Sequence, residues 1–456
     1  MQITAEMIQK FDVAGPRYTS YPTAPVWTPE VTGQIYSEKL KTFGHNDTTL
    51  SLYIHLPFCR SLCTFCACNV VIRPADTKYS EEYLNYLFKE MDLTAKAIGR
   101  RKTIRQLHWG GGTPTFSGED QIRRLYEKIR QTFEIDADAE VAIEIDPRTI
   151  SESKIRTLRE LGFNRISMGV QDFDETVQKN INRVQPFEMV EQTNRWCREL
   201  GFHSVNFDLI YGLPHQTRTS FDDTVEKVIA LKPDRIALYS FAYVPWLKHH
   251  QRKIDTQTLP EANEKMEIFV SARNRFLNAG YQAIAMDHFA LKTDELSKAF
   301  NEQKLYRNFM GYTVKPADEY IGLGMTAIGF LGNTFIQNVK ELPEYYRLLR
   351  EGTLPVERGK ALTADDQIRQ WVIHSLMCHF SVKRQAFSVK FGVEFDEYFK
   401  EEQEHLQNCI EDGLLRKTDD GYEATEMGRL FIRNVCMGFD WYLRQKGSHQ
   451  RFSKTV

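Results

Sequence analysis

"ELGFNRISMG" (residues 160–169) reads as the end of a helix, a glycine stop and the start of a strand. The chain writes nearly the same join twice more, as "ELGFHSVNFD" (199–208) and "NAGYQAIAMD" (278–287). In each, a glycine (Gly162, Gly201, Gly280) stands where a helix closes in a left-handed cap, and an aromatic residue leads into the next strand. Working outward, short apolar runs at 51–56, 104–109, 140–145, 165–170, 204–210 and 235–241 read as strands. Between them Ile122, Leu125, Ile129 and Phe133 recur at helical spacing, as do Tyr83, Leu87 and Met91. Strands alternating with helices predict parallel βαβ units with right-handed crossovers. Six units in succession predict an α/β fold in the form of a partial TIM-like barrel, with an open doubly wound sheet as the structural alternative. In either architecture function sits at the carboxyl ends of the strands.

Two segments flank these units. Residues 1–49 form an N-terminal arm in which Gly15, Pro16, Pro22 and Pro25 break up any long helix, and "RYTSYPTAPVW" (17–27) reads as an ordered loop. The catalytic unit is expected over 50–360. After it, over 361–456, Thr363 followed by Asp365 and Asp366 marks a helix start, and Asp419-Asp420-Gly421 makes a hairpin turn. Helices followed by a small hairpin predict a mainly helical, winged-helix-like domain. It mixes acids with bases and has no basic stripe, so a lid over substrate is expected rather than a nucleic-acid reader.

Composition narrows the function further. Of 456 residues, 59 are basic and 61 acidic, a net charge of −2 that argues against bulk binding to nucleic acid or anionic membrane. The first twenty residues lack an apolar core after a basic start, and no run reaches the ~18 apolar residues of a membrane span. A cytoplasmic protein, as a monomer, is expected. Structural disulfides are rare in that compartment. Yet Cys59, Cys63, Cys66 and Cys68 crowd into "FCRSLCTFCACN" (58–69), directly after the first strand, while Cys197, Cys378, Cys409 and Cys436 are scattered and read as buried small hydrophobes. A structural zinc site draws its ligands as pairs from separated elements. A redox dithiol would use Cys63 and Cys66 and leave Cys59 unexplained. A cubane cluster held by three thiolates, with one iron open to a chelating small molecule, accounts for Cys59, Cys63 and Cys66. The chemistry of the loop favours the cluster and leaves zinc and the redox pair open.

The Cys-x3-Cys-x2-Cys spacing with Phe65 before the third cysteine resembles the signature of the radical S-adenosylmethionine (SAM) superfamily, as does "GGGTPT" (110–115) after the second strand. The likeness extends through "GPRYTSYPTA" (15–24), "LYIHLPFC" (52–59), "CACN" (66–69), "LHWGGGTPT" (107–115), "GFNRISMGVQDF" (162–173), "NFDLIYGLPHQT" (206–217), "MDHFA" (286–290) and "IRNVCM" (432–437). Together these motifs resemble the oxygen-independent coproporphyrinogen III oxidase family nearly end to end. Cys68 and the long arm match that family better than haem-trafficking relatives or haem-acting radical SAM methyltransferases, the two alternative readings. One departure falls in "FAYVPWLKHHQRK" (241–253), where Tyr243 stands in place of a histidine found in some relatives.

The resemblance implies oxidative decarboxylation of two propionates of coproporphyrinogen III to vinyls, giving protoporphyrinogen IX in haem biosynthesis through a 5′-deoxyadenosyl radical. No side-chain base removes an unactivated C–H hydrogen near neutral pH, so cofactors must carry this chemistry. They would be a [4Fe-4S] cluster on Cys59, Cys63 and Cys66 and two SAM molecules. Tyr53, Gly111, Glu144 and Ile328 would contact the cluster-bound SAM. Phe65, Gly112, Thr113, Gln171, Arg183, Asp208 and Ala242 would line the second. Arg17, Arg307 and Arg433 are candidate partners for the propionates, and Cys68 for the second SAM or the substrate. The expected electron donor is a flavodoxin or ferredoxin. His55 and His108 read as satisfied strand residues rather than metal ligands.

Overall fold

The computed structural model describes residues 4–317, 319–446 and 452–455. Residues 1–3 of the arm, residue 318, and residues 447–451 and 456 of the C-terminal segment lie outside it. All six expected strands form: β1 (Leu50–Leu56), β2 (Thr103–Gly111), β3 (Glu134–Ile145), β4 (Arg165–Gln171), β5 (Ser204–Tyr211) and β6 (Arg235–Ser240). They pair in that order and in parallel. Parallel strands covered on both faces read as continuous apolar runs rather than alternating ones. In β1, accordingly, Leu50, Leu52 and Ile54 are all fully buried, and so is Ser51 between them.

The helices between strands follow from local signals. Helix α1 (Thr77–Ile98) starts at Asp76, whose carboxylate accepts the Lys78 N–H, and stops at Gly99. It turns Tyr83, Leu87 and Met91 inward. Helix α2 (Glu119–Thr132) buries Ile122, Leu125 and Ile129, and Phe133 caps its end. Helices α3 (Glu152–Leu161) and α4 (Phe187–Glu199) run into Gly162 and Gly201 at φ +104° and +74°, where only glycine is unstrained. Burying one such leucine or isoleucine contributes about 1.5–3 kcal/mol, so these faces hold the helices to the sheet.

The third join departs from the first two. After helix α5 (Ala262–Asn278), Gly280 has φ +93° as expected, but the strand that follows, β7 (Tyr281–Ala285), does not pair with β6. A tight turn with Met286 at positive φ folds β8 (His288–Leu291) back between them, antiparallel to both. The parallel series therefore ends at β6. On the other side of β1, β9 (Glu319–Leu323) pairs in parallel, and β10 (Ile328–Phe330), β11 (Thr334–Asn338) and β12 (Val356–Ala361) continue antiparallel. The twelve-stranded sheet, in the order β12-β11-β10-β9-β1-β2-β3-β4-β5-β6-β8-β7, is a partial barrel with two antiparallel flanks.

Beyond the sheet, helix α6 (Ala364–His379) opens with a reciprocal cap: Thr363 Oγ1 accepts the Asp366 N–H, and the Asp366 carboxylate accepts the Thr363 N–H. Three short strands follow, β13 (Ser381–Lys383), β14 (Leu415–Thr418) and β15 (Gly421–Ala424), the last two joined through Asp419-Asp420. Helices with this small sheet make the winged-helix-like arrangement. The arm is stitched to it: Tyr18 Oη donates to Asp440 at 3.1 Å, and Gln370 Nε2 donates to the Tyr21 carbonyl at 3.0 Å. Among the described residues no helix is long and apolar enough to cross a membrane.

Candidate active site

The carboxyl ends of β1 to β6 open into one cavity of about 550 Å3. The loop after β1 supplies Cys59, Cys63, Phe65, Cys66 and Cys68, and the turn after β2 supplies Gly111, Gly112 and Thr113. Glu144, Gln171 and Asp208 enter from β3, β4 and β5, with Arg183 from the segment before α4. Twelve of the sequence-selected residues thus meet in one place. The cavity also gathers Asp146, Arg148, Ser167 and Tyr239, which sequence reasoning passed over.

The three glycines after Trp109 are needed for three separate reasons. A Cβ on Gly110 would stand 2.8 Å from the Glu144 carboxylate. One on Gly111, which has φ +117°, would meet the His55 ring at 2.8 Å. One on Gly112 would lie 2.5 Å from the Pro57 carbonyl oxygen. This close approach ties the glycine turn to the cysteine loop: Gly112 N–H donates to Leu56 O and Thr113 N–H to Phe58 O, both at 2.9 Å.

Two carboxylates face the cavity with acidities shifted in opposite directions. Burial alone would raise the Glu144 pKa. Its oxygens, however, accept from His108 Nε2 and the Gly111 N–H, both at 3.2 Å, and these hold it below the ordinary value. His108 is thus the partner of a cavity carboxylate as well as a strand residue. His55 is satisfied on both ring nitrogens, by Tyr53 Oη at 3.0 Å and the Asn69 carbonyl at 3.1 Å, and burial lowers its pKa to about 4. Asp208 has only Ser167 Oγ at 3.0 Å and Asn206 Nδ2 at 2.8 Å, both neutral. Burial, reinforced by the nearby Glu144 charge, pushes it up to about 7.

Asp146 organises the opposite wall. Its Oδ2 accepts from Arg148 Nη2 at 2.7 Å and Arg183 Nη1 at 3.1 Å, and each guanidinium also lies 3.8 Å from Cys63 Sγ. Burial opposes ionisation of Asp146, but the two arginines outweigh it and hold its carboxyl below the usual range. Arg183 is fixed further by Nη2 donating to the Gly169 carbonyl at 2.8 Å. Gln171 ends β4 in a left-handed conformation, φ +67°, a strained choice for a non-glycine residue that sets its side chain at the cavity.

The thiols fit an iron–sulfur cluster better than a single ion. Among the described residues no three ligand-type side chains are close enough to share one metal ion. A cubane takes each thiolate at a different iron, so Cys59, Cys63 and Cys66, which all line the cavity without converging on one point, would suit it better than they would suit a single zinc ion. Thr113 Oγ1 lies 3.4 Å from Cys59 Sγ, and the guanidiniums of Arg148 and Arg183 each stand 3.8 Å from Cys63 Sγ. Burial raises the Cys59 thiol to about 11, a penalty that a bound cationic iron would reverse. Cys66 is pulled down by hydrogen bonding from Cys68, which is itself pushed well up.

The remaining selected residues lie around this cavity rather than in its wall. Tyr53 stands behind His55 and His108, its ring 6.0 Å from His108 and nearly parallel to it. Ile328 begins β10 and lies against Gly322, the residue of β9 opposite Tyr53. Ala242 follows β6, its carbonyl accepting from Gln251. Arg17 pairs with Asp287 and sits 5.4 Å from the ring of Tyr239, so the arm reaches the cavity's outer edge. Arg307 donates to the Arg17 carbonyl at 2.9 Å. Arg433 is buried, and donates to the carbonyls of Gly15 and Pro16. Its present contacts clasp the arm. Cys197 is buried inside α4, as a small hydrophobe.

Comparison with known proteins agrees with this geometry. Residues 53–228 match the model of the radical SAM superfamily, and residues 362–431 that of the HemN C-terminal domain. The oxygen-independent coproporphyrinogen III oxidase of Helicobacter pylori (strain 26695) is 44% identical over 100% of this chain and 99% of its own length. That of Escherichia coli K12 is 42% identical over 99% and 98%. The solved coproporphyrinogen III oxidase (HemN) from Escherichia coli, described as a radical SAM enzyme, superposes with a TM-score of 0.90 over 94% of this chain and 98% of that one, at 41% identity. The chain belongs to the radical SAM superfamily and, within it, to the family of oxygen-independent coproporphyrinogen III oxidases.

Proposed function

We propose that this chain converts coproporphyrinogen III to protoporphyrinogen IX without oxygen, turning two propionates into vinyls with loss of two molecules of carbon dioxide. One observation carries the reading: three thiols, a glycine turn, two carboxylates whose acidities are shifted in opposite directions and an anchored arginine converge on one cavity at the strand ends. Bound there, a reduced [4Fe-4S] cluster and SAM supply the one-electron chemistry that takes a hydrogen atom from an unactivated carbon.

The protein's own residues bind, orient and shield. Cys59, Cys63 and Cys66 would hold the cluster. Glu144, kept ionised, would accept hydrogen bonds from the amino group of the cluster-bound SAM, with Gly111 giving it room and Tyr53 and Ile328 packing against it. Arg183 would grip the carboxylate of a second SAM. Asp208 would take its amino or ribose donors, while Phe65, Gly112, Thr113, Gln171 and Ala242 enclose it. Arg17 and Arg307, at the outer edge, would meet substrate propionates. Arg433 would do so only by releasing the arm, and Cys68 would face the second SAM or the substrate. In this division the arm (1–49) and the C-terminal unit (361–456) close over a catalytic unit (50–360) and keep water from the reacting centre. A cytoplasmic monomer drawing electrons from a flavodoxin or ferredoxin completes the proposal. Anaerobic turnover of coproporphyrinogen III by the reconstituted chain tests it: two carbon dioxides and four hydrogens lost per molecule support the reading, and an unchanged tetrapyrrole refutes it.

A further inference from the structure

The segment after β6 holds the cysteine loop through side-chain hydrogen bonds, and none of its residues 244–253 lines the cavity. Gln251 Nε2 donates to the Phe65 carbonyl at 3.1 Å, and His250 Nε2 lies 2.8 Å from the Cys66 carbonyl oxygen. Lys248 Nζ donates to the Cys68 carbonyl at 3.0 Å and to Asn69 Oδ1 at 2.9 Å. The segment is itself rigid: Gln251 is fully buried, accepts the Val244 N–H at 2.6 Å and donates to the Ala242 carbonyl at 3.1 Å. Its outer side is the opposite of buried. Trp246 and Leu247, adjacent in sequence, are 53% and 67% exposed. Scattered single apolar residues on a surface need no explanation, but a side-by-side tryptophan and leucine on a fixed turn do. Residues 244–253 carry Lys248, Arg252 and Lys253 and no acid, and Arg252 and Lys253 form no ion pair with another described residue. In a chain of net charge −2, this is a local basic patch around an exposed indole.

We propose that this strap, centred on Trp246, Leu247, Arg252 and Lys253, is the docking surface for a small acidic one-electron carrier protein. The inference rests on the cluster assignment above. The cavity side of the cysteine loop belongs to the cofactors and substrate, so an electron must reach the loop from another face. The strap offers one a single hydrogen-bonded layer from the carbonyls of Phe65, Cys66 and Cys68. Tryptophan supplies the rigid apolar anchor typical of interface centres, and unpaired cations steer an acidic partner and raise its association rate. The transfer balances simply: the carrier loses one electron, the cluster gains one, and no bond forms or breaks.

The test uses the full chain with its cluster reconstituted, reduced flavodoxin as the probe, and stopped-flow absorbance under anaerobic conditions. The double variant Arg252→Glu/Lys253→Glu, and separately Trp246→Ala, are expected to lower the second-order rate of flavodoxin oxidation about tenfold or more at low salt. The charge reversal should also flatten the salt dependence. Reduction of the cluster by dithionite should proceed at the parent rate in both. A flavodoxin rate equal to that of the parent would overturn the proposal. So would an equal loss with dithionite, which would place the effect in the cysteine loop instead of the surface. A parent chain that assembles no cluster at all would remove the functional reading and this inference together.

Discussion

Gly112→Ala places one methyl group where the glycine turn meets the cysteine loop. The added carbon would lie 2.5 Å from Pro57 O, 2.6 Å from Pro57 C and 2.9 Å from Phe58 O, whereas ordinary contact begins at 3.4 Å. The deficit, 3.4 − 2.5, is about 0.9 Å, and every atom in the way is backbone, so no side chain can swing aside. The two chains must separate, stretching the bonds of Gly112 N–H to Leu56 O and Thr113 N–H to Phe58 O, both now 2.9 Å. Overpacking of this kind costs about 1–3 kcal/mol of stability. Its effect on chemistry is larger, because Cys59 is the first residue beyond the displaced Phe58, and a misplacement near 1 Å costs about 10²-fold in rate. The assay is 5′-deoxyadenosine formation by the reconstituted chain, with urea unfolding of the cluster-free chain alongside. Gly118→Ala is the control, since a Cβ there comes no nearer than 3.5 Å to anything. If Gly112→Ala unfolds at the parent midpoint and forms deoxyadenosine at the parent rate, the steric account of the glycine turn is wrong.

Two further outcomes follow from the charges of the cavity. Asp146→Ala removes the one carboxylate between Arg148 and Arg183 and leaves two enclosed guanidiniums uncompensated, a loss of about 3–5 kcal/mol visible as a lower unfolding midpoint. An unchanged midpoint would mean that the arginines find other partners. For Asp208 the folded pKa is raised, from 3.8 to about 7, so its stabilising contribution is full below the unfolded value and is lost as pH rises through 7. A shift of about three units corresponds to about 4 kcal/mol at most, spread between pH 4 and 7. The cluster-free parent should therefore lose stability over that interval more steeply than Asp208→Asn, and parallel pH profiles would contradict the assignment.

Much of this was legible in the sequence, for reasons that differ by element. The six parallel strands were readable because fully buried strands are written as unbroken apolar runs, and Gly162 and Gly201 because a left-handed cap admits little else. The third join used the same letters to a different end. Nothing in "NAGYQAIAMD" reveals that Met286 turns the chain back, since pairing partners are settled by the sheet edge available, not by local preference. In the site, the cysteines and glycines were legible because their chemistry is rare. Asp146 and Arg148 were missed although "EIDPRT" (144–149) ends a strand at the functional face; an acid and a base near a turn look like any solvated pair until Arg183 arrives from elsewhere. Arg433 reads as a free cation in sequence, and only the fold shows it spent on the carbonyls of Gly15 and Pro16.

The central claim is that the cavity delivers a hydrogen-abstracting radical to the propionate side chains of the tetrapyrrole. Coproporphyrinogen III carrying deuterium at the β-carbons of its propionates tests it most directly, with the recovered 5′-deoxyadenosine analysed by mass spectrometry after anaerobic turnover. The account predicts one deuterium in deoxyadenosine for each propionate converted to a vinyl. Vinyl product accompanied by deoxyadenosine free of deuterium would contradict it.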